Sequence, residues 1–103
     1  MKLITDSVAA DLTGDWLAIA PGFAIDGLEV EAPDGSYTAD NVQVEITGKE
    51  DPAASFVGTN VLNFTANETG LRTLDVVARN VRAIIVNNTS GNKITVRAIT
   101  KPA

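Results

Sequence analysis

The chain contains no cysteine and no histidine. The first absence leaves no disulfide framework and no thiolate metal site, and the second removes the commonest general base and transition-metal ligand. Aromatic residues are scarce: Trp16, Phe23, Tyr37, Phe56 and Phe64 are the whole stock. A glycan-binding sandwich stacks sugars on exposed rings, so Phe23 and Tyr37, beside turns, are the ring candidates for a glycan or partner contact, and the other three fall where core is expected. No apolar run approaches the roughly 20 residues that span a bilayer. Met1-Lys2-Leu3-Ile4 gives way at once to Thr5-Asp6, so no export or anchoring signal is visible and no membrane partner is expected.

What is present is a β-forming chain with unevenly distributed charge. Its 103 residues suit one domain, and a domain of this size buries roughly 60–70% of its unfolded surface, enough for a core without covalent staples. The net charge is −5, yet residues 1 to 71 set Lys2 and Lys49 against twelve carboxylates (−10), while residues 72 to 103 set Arg72, Arg79, Arg82, Lys93, Arg97 and Lys101 against Asp75 alone (+5). Acidic and basic strands lying side by side in one sheet would pair across it. The sharper alternative is a polar molecule whose basic side faces an acidic partner or the acidic side of its own copy. Six basic residues without interleaved aromatics, in an acidic total, make no phosphate track, so nucleic acid is not an expected partner.

The strongest strand signals lie near the C-terminus. Val81 to Val86 and Lys93 to Ile99 are rich in β-branched residues, and Asn87 to Asn92 between them is turn chemistry, so the stretch reads as a hairpin. Ile94, Val96 and Ala98 alternate with Lys93, Thr95 and Arg97, which turns one face to a core and the other outward. Arg82, Lys93 and Arg97 are therefore the candidate basic contacts for a partner. Ile84-Ile85-Val86 is apolar in either phase and predicts a strand covered on both faces.

Upstream, residues 1–13 read as an extended N-terminal arm and residues 14–103 as a single domain. Gly14 to Ala20 predicts a strand stopped by Pro21-Gly22; Ala24 to Ala32 alternates, with Gly27 breaking the phase as a bulge would. Asn41 to Thr47 has the clearest period of two, with Val42, Val44 and Ile46 inward. Lys49 to Ala54 is a polar loop, Phe56-Val57 and Val61 to Phe64 are short strands, and Leu71 to Ala78 follows the turn at Asn67 to Gly70. About eight short strands, broken every 8–12 residues or so and without helical periodicity, predict an all-β fold: an antiparallel β-sandwich or barrel.

Catalytic chemistry finds little to work with. Glu29 and Glu31 share one strand face at about 6.5–7 Å, a spacing that overlaps that of glycosidase carboxylates, but nothing in their context predicts the desolvation that raises an acid's pKa. Ser7, Ser36, Ser55 and Ser90 have no histidine to activate them and no Gly-x-Ser-x-Gly context. Asp34, Asp40 and Asn41 bracket a loop but match no EF-hand spacing. The Asn-x-Ser/Thr matches at Asn63, Asn67, Asn87 and Asn88 read as turn and strand-edge residues. No catalytic residue, metal or cofactor is expected.

The order strand-Gly-Asp-Trp, then Val-Gln-Val-Glu-Ile-Thr-Gly-Lys-Glu-Asp-Pro (Val42 to Pro52), then the run from Val81 to Ala98 resembles the small jelly-roll structural proteins of tailed-bacteriophage virions. In these a strand is followed by a short acidic loop, and a final hairpin runs as arginine, hydrophobic strand, Asn/Ser/Gly turn and hydrophobic strand. The resemblance spans Gly14 to Ala98 and implies a jelly-roll sandwich with a structural role: a capsid decoration protein bound to the major capsid protein, or a tail, neck or head-fibre component. It further implies a homo-oligomer, trimeric by preference, made in the host bacterial cytoplasm and assembled into the virion. The alternative class is a glycan-binding or adhesion module that uses Phe23, Tyr37 and loop carboxamides.

Overall fold

The computed structural model describes all 103 residues, without a helix. Nine strands form: β1 (Lys2–Ser7), β2 (Leu12–Thr13), β3 (Leu17–Ala18), β4 (Phe23–Glu31), β5 (Ala39–Thr47), β6 (Thr59–Ala66), β7 (Gly70–Val76), β8 (Asn80–Asn88) and β9 (Ile94–Pro102). They make two antiparallel sheets, one in the order β1-β9-β4-β7 and the other in the order β2-β8-β5-β6, with β3 also on β8. Leu12 lies opposite Ile85 and Leu17 opposite Val81, so β2 and β3 run along the same partner as one strand interrupted at Gly14 to Trp16. Counted that way there are eight strands, and their order in the two sheets is that of a jelly roll.

The expected all-β sandwich is present, but the expected C-terminal hairpin is not. β8 and β9 sit in opposite sheets. Each already has two neighbours: β8 lies between β5 and the β2/β3 edge, and β9 lies between β4 and β1. No edge remains for them to share, and the Asn/Ser/Gly segment instead carries the chain across the roughly 10 Å between packed sheets. Only the β5-to-β6 connection joins neighbours within one sheet. The two-sided cover expected for β8 is real: Val81, Ala83 and Ile85 enter the core, while Arg82 is buried and Ile84 and Val86 are half-buried on the other face.

Residues 1–13 are extended, as expected, but they are part of the sandwich rather than an arm. β1 pairs with β9, and Leu3 and Ile4 belong to the core cluster with Leu28, Val30, Val96 and Ala98. The alternation of Leu3 and Ile4 with polar residues is too irregular to show this in sequence, because β1 shifts register twice along β9. Of the strand expected at Gly14 to Ala20 only Leu17–Ala18 pairs, and Phe56-Val57 lies in the β5–β6 loop. The bulge expected near Gly27 is present: the register of β4 shifts between Ile25 and Gly27 against both β7 and β9.

The core is aliphatic, with Phe64 and Tyr37 its only rings, and each buried Val, Leu or Ile contributes roughly 1.5–3 kcal/mol. Truncating Ile4 to alanine is therefore expected to lower the unfolding free energy by about 2–5 kcal/mol in a denaturant titration. An N-terminal segment outside the fold would give a change within about 0.5 kcal/mol.

Candidate functional site

Three of the residues singled out in sequence lie where a partner cannot use them as expected. Arg82 is 4% exposed. It projects from the outward face of β8, and the β5–β6 loop folds back over it. Its Nε donates to Glu45 Oε1 at 2.9 Å, and its two terminal nitrogens donate to the carbonyls of Ala54 (2.9 Å) and Phe56 (2.8 Å). The guanidinium lies 4.4 Å from the Trp16 ring centre, and Trp16 in turn packs at a tilt on Phe56. Gly58 closes the loop, where a Cβ would come within 2.6 Å of both Trp16 and the Ile46 carbonyl. Arg82 is thus the internal anchor of a loop, and its burial with every donor group engaged removes it from the list of surface contacts.

Tyr37 is 1% exposed, so it is no platform for a sugar. The chain turns inward after Ser36, and the phenol reaches across the sandwich to donate to the Glu68 carbonyl. Burial, reinforced by the Glu68 carboxylate, pushes its pKa above the ordinary tyrosine value.

Arg97 lies on the outward face of β9, as expected, but it is already engaged by Glu29 and Glu31 of β4. Those carboxylates, Glu31 foremost, raise its pKa. The two glutamates do share a face, and they hold a guanidinium between them. Lys101 repeats the arrangement with Asp75 at 3.3 Å and Asp26 at 3.4 Å, and both raise its pKa. Arg79 pairs with Glu50 at 3.1 Å, and Arg72 pairs with Glu68. Five of the six basic residues after position 71 are therefore committed to carboxylates, each of them to at least one in the acidic part of the sequence. Lys93 alone among them keeps a free ammonium group, at the β8–β9 connection, where its backbone N–H is held by Asp34.

Phe23 is the one aromatic candidate left on the surface, 39% exposed at the start of β4. It borders an open cleft of about 510 Å³ at the end of the sandwich where the β3–β4 turn, the β5–β6 loop and the β7–β8 connection meet. Ile19 and Ala78 form its apolar floor, Phe23 and Val77 its wall, and Glu50, Asp51 and Arg79 its charged rim, with Arg79 paired to Glu50. Val77 is 74% exposed. Sequence reasoning did not single out Val77, although three apolar residues in a row at Val76 to Ala78, past the end of the alternating strand, are a readable signal. The opposite end is polar. There Asn87 donates through its backbone N–H to Asp11 and through its side chain to Asp40, the Asn88 side chain donates to the Asn92 carbonyl, and the Asn92 side chain donates to the Ser36 carbonyl, so the loop carboxamides are occupied within the chain.

Comparison with protein-family models, with curated proteins and with solved structures finds no match to this chain.

Tyr37 gives a direct check of the packing at the polar end. Its folded-state pKa is raised, so its contribution to stability is complete below the unfolded value of about 10 and is lost as the pH climbs through the folded value. It is the sole tyrosine, so phenolate absorbance reports it alone. The absorbance is expected to rise later than that of free tyrosine and together with alkaline unfolding, and Tyr37→Phe is expected to cost roughly 0.5–1.5 kcal/mol at neutral pH. An ordinary titration midpoint in the folded protein would place the ring at the surface.

Proposed function

We propose that this protein is a structural component of a tailed-bacteriophage virion, a decoration protein that binds the outside of the assembled head and stabilises it. Two strands of argument support the reading. The jelly-roll strand order agrees with the fold that the sequence resemblance implies. The surface then offers an apolar end, at Phe23 and Val77, on a molecule whose cations are largely paired in place. The observation that carries the reading is that end: an open cleft with exposed apolar walls and a charged rim.

The docking element in this proposal differs from the one the charge division suggests. A basic C-terminal face needs free cations, and the cross-strand pairs leave only Lys93 there. The apolar end instead inserts between subunits of the major capsid protein, with Asp51, the rim carboxylate that Arg79 does not take, meeting a basic group at the contact. Because the protein binds the closed shell and not its free subunits, bound copies favour the assembled state by mass action. The glycan-binding alternative loses Tyr37 to the core and its carboxamides to the loop network, and keeps Phe23 alone.

Binding to phage heads that lack the protein tests this. Wild-type protein is expected to bind at low and at moderate salt, because apolar burial dominates, and Val77→Asp is expected to weaken binding at least about tenfold, equivalent to 1.4 kcal/mol. Its high exposure leaves the unfolding transition unchanged. Absence of binding by the wild type, or equal binding by the variant, would contradict the proposal.

A further inference from the structure

Nearly every buried backbone N–H and C=O in a folded protein has a hydrogen-bond partner. The floor of the cleft beside Phe23 departs from that rule. Ile19 and Ala78, which form it, are each only 7% exposed. The Ile19 N–H donates to the Arg79 carbonyl at 2.8 Å, and the Arg79 N–H donates to the Thr47 carbonyl at 2.9 Å. The Ile19 carbonyl has no partner in the chain, and neither has the N–H or the C=O of Ala78. Both backbone groups of Val77 are free in the same way.

The topology explains why they are left over. β7 ends at Val76 and β8 begins at Asn80, and the two strands lie in opposite sheets. Val77 and Ala78 cross between the sheets and join neither ladder, while Ile19 falls just past the end of β3. Asn80 adds a side-chain acceptor to the lining: it is buried, its Nδ2 donates to the Lys49 carbonyl at 3.0 Å, and its Oδ1 has no partner. At the rim Arg79 and Glu50 satisfy one another, and Asp51 takes part in no ion pair. The volume of about 510 Å³ lies within the range of roughly 300–1,000 Å³ usual for ligand sites.

We propose that the cleft binds an extended peptide segment of the docking partner, one that carries an aliphatic side chain with a lysine or arginine next to it or next but one. A purely apolar ligand would cover the free backbone groups without pairing them, which is costly. A peptide offers an N–H and a C=O at each residue, so its main chain pairs with Ile19, Val77 and Ala78 while one side chain fills the apolar trough. Its cation meets Asp51, the carboxylate left without a counter-charge. The inference rests on the reading of this cleft as the docking end and names the chemistry that enters it.

Backbone-amide NMR on the full chain, titrated with the blocked peptide acetyl-Leu-Arg-Leu-Arg-amide, reads this directly. Saturable shifts are expected at Phe23, Asp51, Val77 and Ala78. The peptide acetyl-Leu-Glu-Leu-Glu-amide is expected to bind roughly three- to fivefold more weakly, the worth of one exposed charge pair, and Asp51→Asn is expected to abolish that preference. N-methylation of both leucines, which removes their N–H donors, is expected to weaken binding at least about fivefold. Shifts absent from the cleft, equal binding of the acidic peptide to wild type, or full binding of the N-methylated peptide would each overturn the proposal. Protein that binds phage heads but not the basic peptide overturns this inference and leaves the docking end in place. Protein that binds the peptide in the cleft but binds no head upholds the inference and removes the head as partner.

Discussion

The outer face of the β2-β8-β5-β6 sheet depends on one buried ion pair. Arg82 and Glu45 are direct cross-strand neighbours on β8 and β5, and the pair is sealed beneath the β5–β6 loop. Removing two charges from water is expensive, and only a full set of partners offsets it. Here the set is supplied by the loop itself, through the Ala54 and Phe56 carbonyls, and by the face of Trp16. The loop needs Arg82 as a place to put its carbonyls, and Arg82 needs the loop to be tolerable in the interior. Position follows from that exchange: with the loop down, Glu50 and Asp51 stand at the rim of the apolar cleft, next to Phe23 and Val77.

The same principle, partners drawn from opposite ends of the sequence, explains the charge distribution. A jelly roll places β9 between β1 and β4, and β8 between β2 and β5, so strands late in the chain are bracketed by early ones. An acidic first part and a basic last part then become neighbours without any long-range search. The exposed pairs, Arg97 with its two glutamates and Lys101 with its two aspartates, add little stability individually. Their larger effect is to fix strand order, because a like-charged neighbour in either position would be repelled.

Much of the fold was legible in sequence because alternation is local. Val42, Val44 and Ile46 face inward as their spacing requires, Ile94, Val96 and Ala98 do the same, and the phase break at Gly27 is the bulge. The expected pairing of acidic with basic strands across a sheet is present, and what failed were inferences about which particular strands and loops meet. The β8–β9 hairpin looked secure because its turn residues are good ones, yet Asn, Ser and Gly serve equally well in a connection between sheets. Arg82 looked like a surface cation because its alternation places it opposite the core. It does point away from the core, and a loop from elsewhere in the chain covers it, as it covers Glu45. Tyr37 looked exposed because it follows a turn, and the turn feeds it into the sandwich. The Val77 end of the molecule was hidden for a related reason: three sequence-distant connections assemble it, and none of them is distinctive alone.

The account rests on Arg82 and Glu45 acting as one unit, and a double-mutant cycle in denaturant unfolding measures that coupling. Arg82→Met and Glu45→Leu are each expected to destabilise by roughly 3–5 kcal/mol, because each strands a buried charge or leaves polar groups without a partner. The double variant is expected to recover about 2–3 kcal/mol of the summed loss, and Trp16 fluorescence, from the sole tryptophan, should show whether the loop stays seated. Single variants within about 1 kcal/mol of wild type, with effects that simply add, would show that the pair is not what holds the loop to the sheet.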